Sequence, residues 1–233
     1  MKRLGVFLGV MSFFFIVSTF LVASNNEATA LLLDAAKNDN LETVKAAIAA
    51  GADINATVGV HSEIIGFAPL HLAAFNECAS VAEELCKHQE IQVNATVKSC
   101  GKYKGYTALH LASIRGYASV VKALIGHKDT DINGAIECDG KYKGFMPLHL
   151  AIVKGYRYAV IELLQHKDIT LDATINNDGE YDGLTPLMLA MSRNYLKIAE
   201  ELLKHKDADS STPEPAADTL ITCMFERVTH AGN

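Results

Sequence analysis

The sequence predicts an all-α array of helix pairs stacked side by side, and three observations predict it. First, four segments align: Phe67-Ala-Pro-Leu-His-Leu-Ala-Ala, Tyr106-Thr-Ala-Leu-His-Leu-Ala-Ser, Phe145-Met-Pro-Leu-His-Leu-Ala-Ile and Leu184-Thr-Pro-Leu-Met-Leu-Ala-Met, each starting 39 residues after the last. A fixed period of this size is the mark of a repeat architecture. Second, each segment carries apolar residues at helical spacing, three of them led by a Pro suited to a first helical position. A Gly116-Tyr117 or Gly155-Tyr156 connection follows, then a second apolar run: Val120, Val121, Leu124 and Ile125 in one unit, Val160, Ile161, Leu163 and Leu164 in the next. Third, 49% apolar and 21% charged residues exclude wholesale disorder.

The chain opens Met1-Lys2-Arg3 and then runs uncharged from Leu4 to Val22. A positive start before an apolar stretch is the pattern of a secretory signal peptide over residues 1–24, with Val22-Ala23-Ser24 as the expected cleavage site. Ala28-Thr29-Ala30 is a second candidate, but a cut there strips the start of the first expected helix. The apolar run also approaches the about 20 residues that span a bilayer, so an uncleaved anchor is the alternative, and a buried helix is the plainest one. The two leading readings send the repeats across a membrane. The expected location is secreted or periplasmic after cleavage, or membrane-anchored with the repeats outside the cytoplasm.

These segments make the chain resemble the ankyrin-repeat family, whose Thr-Pro-Leu-His-x-Ala signature is matched by Pro69-Leu70-His71, by Thr107 with Leu109-His110, by Pro147-Leu148-His149 and by Thr185-Pro186-Leu187. Leu32 to Lys37 with Leu41 to Asn55 is similar to the first, capping unit of such arrays. The resemblance implies an ankyrin-repeat solenoid over residues 28–205, with units at about 28–55, 67–94, 106–133, 145–172 and 184–205. It departs from the signature where Ala68 and Met146 replace Thr and where Met188 replaces His. All three of these units are expected to be looser, not misfolded, for want of the Thr–His hydrogen bond that the family uses to tie the helix start. The family period is about 33 residues, and the surplus falls between units. There Val93 to Val97 and Tyr103 to Tyr106 alternate like two strands, so lengthened β-hairpin fingers are expected. After His205 the stretch 206–218 reads as linker. Leu220, Ile221, Met224, Phe225 and Val228 at helical spacing suggest that 219–233 caps the open end of the stack.

Net charge is −6, so no basic field exists to collect nucleic acid. His71, His110 and His149 belong to the signature. His88, His127, His166 and His205 form a second column at the ends of the second helices. One imidazole per stacked unit cannot share an ion whose ligands sit about 2 Å away, so no metal is expected. No nucleophile elbow, phosphate loop or zinc-helix motif occurs, and paired carboxylates such as Glu83-Glu84 and Glu200-Glu201 read as solvated helix faces. A non-enzymatic protein without cofactor or small-molecule substrate is expected. Cys78 and Cys86 lie about 12 Å apart along one helix, too far to bridge. Cys100 and Cys138, at neighbouring finger tips, are the candidate disulfide if the compartment is oxidising, two free thiols being the alternative. Asn55-Ala56-Thr57 and Asn94-Ala95-Thr96 fit the glycosylation pattern, but Asn that holds the hairpin backbone is the stronger explanation.

The resemblance implies a protein partner bound through finger tips and the concave face of the first helices. Phe75, Ile114 and Val153 occupy that face and would form an apolar stripe; packing against the adjacent unit is the alternative. The fingers repeat Lys102-Tyr103-Lys104 and Lys141-Tyr142-Lys143, then change sign at Glu180-Tyr181-Asp182. Tyr flanked by charge suits recognition, while packing within each hairpin is the plainer role. The expected function is an exported scaffold for an unidentified protein, which touches a membrane only through residues 4–22 if they stay uncleaved. The rival is a membrane-tethered structural or protective envelope protein that self-associates.

Overall fold

A computed structural model describes residues 25–59, 64–99 and 101–209. The expected signal or anchor (1–24), the thiol of Cys100 and the tail from residue 210, including the proposed cap, lie outside the described residues. Among the described residues, ten helices form five antiparallel pairs: α1 (25–37) with α2 (Leu41–Ala49), α3 (Pro69–Phe75) with α4 (Ala79–Leu85), α5 (Ala108–Arg115) with α6 (Ala118–Ile125), α7 (Pro147–Val153) with α8 (Arg157–Leu164), and α9 (Pro186–Ser192) with α10 (Leu196–Asp209). Most are only two turns long, too short to persist alone. They are stabilised by stacking: α3, α5, α7 and α9 form an inner layer, and α4, α6, α8 and α10 an outer one. One hydrophobic core runs without interruption from Leu32 to Leu202. α10 continues past His205 to Asp209, into the stretch read as linker.

Two side-chain columns tie each unit to the next. His71 Nδ1 accepts the Ala68 N–H at 3.1 Å, so Nε2 carries the proton and donates at 2.9 Å to Ala95 O, in the finger that leads to the following unit. His110 repeats this with Thr107 and Gly134 O, and His149 with Met146 and Ala173 O. The expected loosening at Ala68 and Met146 therefore has a limit: the backbone N–H donates to the ring in all three units, and only the added Thr107 hydroxyl contact is missing from these two. Burial holds all three imidazoles down at about 4. α9, with Met188 in place of His, lacks this tie, and so does α1, which contains no His. In the second column, the Asn55 amide donates to Glu90 O at 2.8 Å and accepts the Gln92 N–H at 2.9 Å; Asn94 and Asn133 do the same one unit further on. Both amides of the glycosylation pattern are thus committed to backbone.

The turn between paired helices needs a left-handed residue. Gly116 (φ 79°) and Gly155 (φ 74°) supply it in the middle units, whereas Glu77 (φ 64°) and Asn194 (φ 58°) stand at the equivalent places. At Gly116 a side chain would also strike the Tyr156 ring, 2.5 Å from the position of a Cβ.

The fingers differ from the expected strand pairs: among the described residues no strand forms. Each finger closes on a single rung. Val97 N–H donates to Tyr106 O at 2.9 Å while Val97 O accepts from Gly105 N–H at 2.8 Å, and Val58, Ile136 and Ile175 repeat the pattern. Two residues oppose one, and the first is a left-handed glycine (Gly66, Gly105, Gly144 or Gly183), which is a glycine bulge. The extra residues are then consumed in consecutive turns, Lys104 N–H to Gly101 O and Tyr106 N–H to Tyr103 O. They fold back and do not extend a ladder.

Candidate functional site

The fingers lie edge to edge. A Cβ on Gly105 would sit 2.8 Å from Cys138 Sγ, and one on Gly144 only 2.4 Å from Asn176 O, so glycine is needed both for φ and for clearance. Between the second finger (94–106), the third (133–145) and the inner helices opens a cleft of about 650 Å³. Its walls include Lys102, Tyr103, Lys104, Ile114, Arg115, Cys138, Lys141, Tyr142, Lys143, Lys154 and Tyr156. The next cleft, between the third and fourth fingers, is about 410 Å³ and is lined by Asp139, Lys141, Lys143, Asp178, Glu180 and Tyr181.

Positions in these clefts follow from aromatic packing. Tyr103 stands edge-on to Phe67 (5.9 Å), Phe75 (5.3 Å) and Tyr106 (5.6 Å); Tyr142 meets Phe145 at 5.2 Å. Tyr103 and Tyr142 are therefore anchored at one edge and half open at the other. The Lys102 ammonium lies 5.2 Å from the centre of the Tyr103 ring, that of Lys141 5.5 Å and that of Lys154 5.9 Å from Tyr142. Arg115 covers Phe75 at 4.2 Å and reaches Tyr117 at 5.6 Å. Asp139 pairs with Lys143 at 2.9 Å, which holds its carboxyl below the ordinary value and raises the lysine. Burial pushes the Tyr106 phenol well above its usual range, so it stays neutral.

A family model of ankyrin repeats in three copies matches residues 14–97, 32–136, 94–175 and 136–214 in overlapping registers. The chain belongs to the ankyrin-repeat family. Ankyrin repeats mediate protein–protein interaction, and the family is typically a non-enzymatic scaffold. No curated protein matches the chain.

Against that ankyrin frame, the expected partner residues divide. Lys102, Lys104 and Lys141 are exposed, and Tyr103, Tyr142, Lys143 and Ile114 are half-buried on the cleft wall. Phe75 is half-buried too, but beneath Arg115. Val153 is corrected: only 7% exposed, it belongs to the core where α7 is held between α5 and α9. Tyr181 is corrected as well, buried against Phe145 at 5.5 Å with Arg193 hydrogen-bonded to its hydroxyl. There is thus no continuous apolar stripe. Cys138 has a free thiol, and its candidate partner Cys100 lies outside the described residues. Cys78 and Cys86 are also free, and burial raises the Cys86 thiol to about 11. The second histidine column closes turns: His127 Nδ1 accepts from Asp129 N–H and His166 Nδ1 from Asp168 N–H, each at 3.2 Å.

Sequence reasoning missed Arg115, Lys154 and Tyr156 as cleft residues. A signal existed, since Arg115, Lys154 and Arg193 share the 39-residue spacing, as do Tyr117, Tyr156 and Tyr195. Among the described residues no group of three or more His, Cys, Asp and Glu is placed to hold a metal ion, and no helix is long and apolar enough to cross a membrane.

Proposed function

We propose that the chain is a scaffold that captures a protein partner in the cleft between its second and third fingers, exported from the cytoplasm under direction of residues 1–24. The observation that carries this reading is the cleft itself. Ile114, Tyr103 and Tyr142 line it on a frame held by the His and Asn columns, so docking does not have to order them. Half-buried aromatic and aliphatic groups with a polar rim are the composition of an interface centre. Export rests on the charged-then-apolar opening of the sequence.

The test is capture from native extract. Ile114→Glu places a carboxylate in the cleft wall and should abolish recovery of the partner while the thermal melt moves little; undiminished recovery overturns the reading. Val153→Glu is not a substitute, because it would bury a charge in the core. Mass spectrometry of the mature N-terminus separates a cleaved, released form from a tethered one.

A further inference from the structure

We infer that the cleft between the second and third fingers receives a short acidic segment of a partner protein, a run of Asp and Glu side chains in extended conformation. This rests on the reading above and names the chemistry of the partner. The chain as a whole carries a charge of −6, yet Lys102, Lys104, Arg115, Lys141, Lys143 and Lys154 all line this one cleft, with Asp139 as the acid among its walls. Only Lys143 has a carboxylate partner within 4 Å among the described residues of that set. Tyrosine faces hold Lys102, Lys141 and Lys154 in place without neutralising them. The Arg115 Nε is buried and has no hydrogen-bond partner among the described residues. Apart from Lys143, these are oriented cations without a carboxylate partner among the described residues, and such a set is complementary to carboxylates.

The extent of the patch decides between a short segment and a long polyanion. One finger further along, Asp178, Glu180 and Asp182 are all exposed, and they would repel the next phosphates of a nucleic-acid strand. An acidic segment confined to the cleft ends before it meets them. The sign change thus acts as a boundary, and a linear ligand must stop there.

The experiment uses the full chain and two fluorescein-labelled peptides, ten glutamates and ten lysines, followed by anisotropy at low salt. The glutamate peptide should bind and the lysine peptide should not. The double substitution Lys102→Glu with Lys141→Glu should weaken binding at least tenfold with an unchanged melt, since both side chains are exposed. Lys128→Glu, an exposed lysine outside the cleft, should leave it within twofold. No binding of the glutamate peptide, or equal loss in the Lys128 variant, overturns the inference. So does sedimentation that shows the cleft filled by a second copy, with a dimer that dissociates on Lys102→Glu and no peptide bound. The two readings fail separately. A partner lost with Ile114→Glu but retained by the double lysine variant leaves the scaffold standing and removes the acidic segment; a partner indifferent to both removes the scaffold.

Discussion

The cleft between fingers two and three and the cleft between fingers three and four are the same construction, displaced by one unit, and they differ in character. Both lie between fingers that close on glycine bulges, and a buried histidine ties down the far finger of each, His110 through Gly134 O in the third and His149 through Ala173 O in the fourth. In the first, Tyr103 and Tyr142 stay half open and the cations outnumber the acids. In the second, Tyr181 is buried against Phe145 and held by Arg193, while Lys141 and Lys143 face Asp139, Asp178 and Glu180. The backbone sets where a cleft opens, and a handful of tip side chains set whether it has charge left to offer.

The largest expected effect acts on what the clefts share. His71, His110 and His149 titrate near 6.5 in the unfolded chain and at about 4 when folded. The unfolded state therefore binds more protons in between. Their contribution is complete above pH 6.5 and is lost as pH falls towards 4, by about 3 kcal/mol for each imidazole at most. Denaturation in urea should give a much lower midpoint at pH 4.5 than at pH 7. A midpoint flat over this range would show that the histidine column is not what joins the units.

A smaller effect separates the clefts. Gly144→Ala puts a methyl 2.4 Å from the Asn176 carbonyl oxygen, a backbone atom, and should cost about 4 kcal/mol through left-handed strain and overpacking. Gly105→Ala meets the Cys138 thiol at 2.8 Å, a side chain that can turn aside, and should cost about 2 kcal/mol. Equal losses in denaturant titrations would mean that the two finger pairs are packed alike after all.

The smallest effect is a control outside both clefts. Glu77 adopts φ 64° where the middle units use glycine, so Glu77→Gly should raise stability by about 1 kcal/mol. Peptide binding in the first cleft should not change. A loss of binding would show that the helix turn and the fingers are coupled.

Much of this was legible in the repeat. The pairing of helices, the two histidine columns and the Asn column recur every 39 residues, and anything that recurs can be read from spacing. Cys86, which stands at the end of its helix where Ile125 and Leu164 end theirs, is half-buried against the core. The fingers were less legible. Alternation around Ser99 to Lys102 looked like two strands, because a bulge and two turns conserve the same polar-apolar alternation while they fold the chain back.

By itself, the sequence determined the unit, its period and the residues that join one unit to the next, because these depend on local spacing and on contacts repeated at a constant offset. Only the tertiary structure decided which members of each column face solvent. Phe75, Ile114 and Val153 are equivalent in sequence, yet Arg115 covers the first, the second lines a cleft and the third is core. Tyr103 and Tyr181 are equivalent too, and Arg193 holds the second down. Exposure depends on which ring a neighbouring cation settles against, and Arg115 and Arg193, equivalent in spacing, settle against rings at different places in the unit.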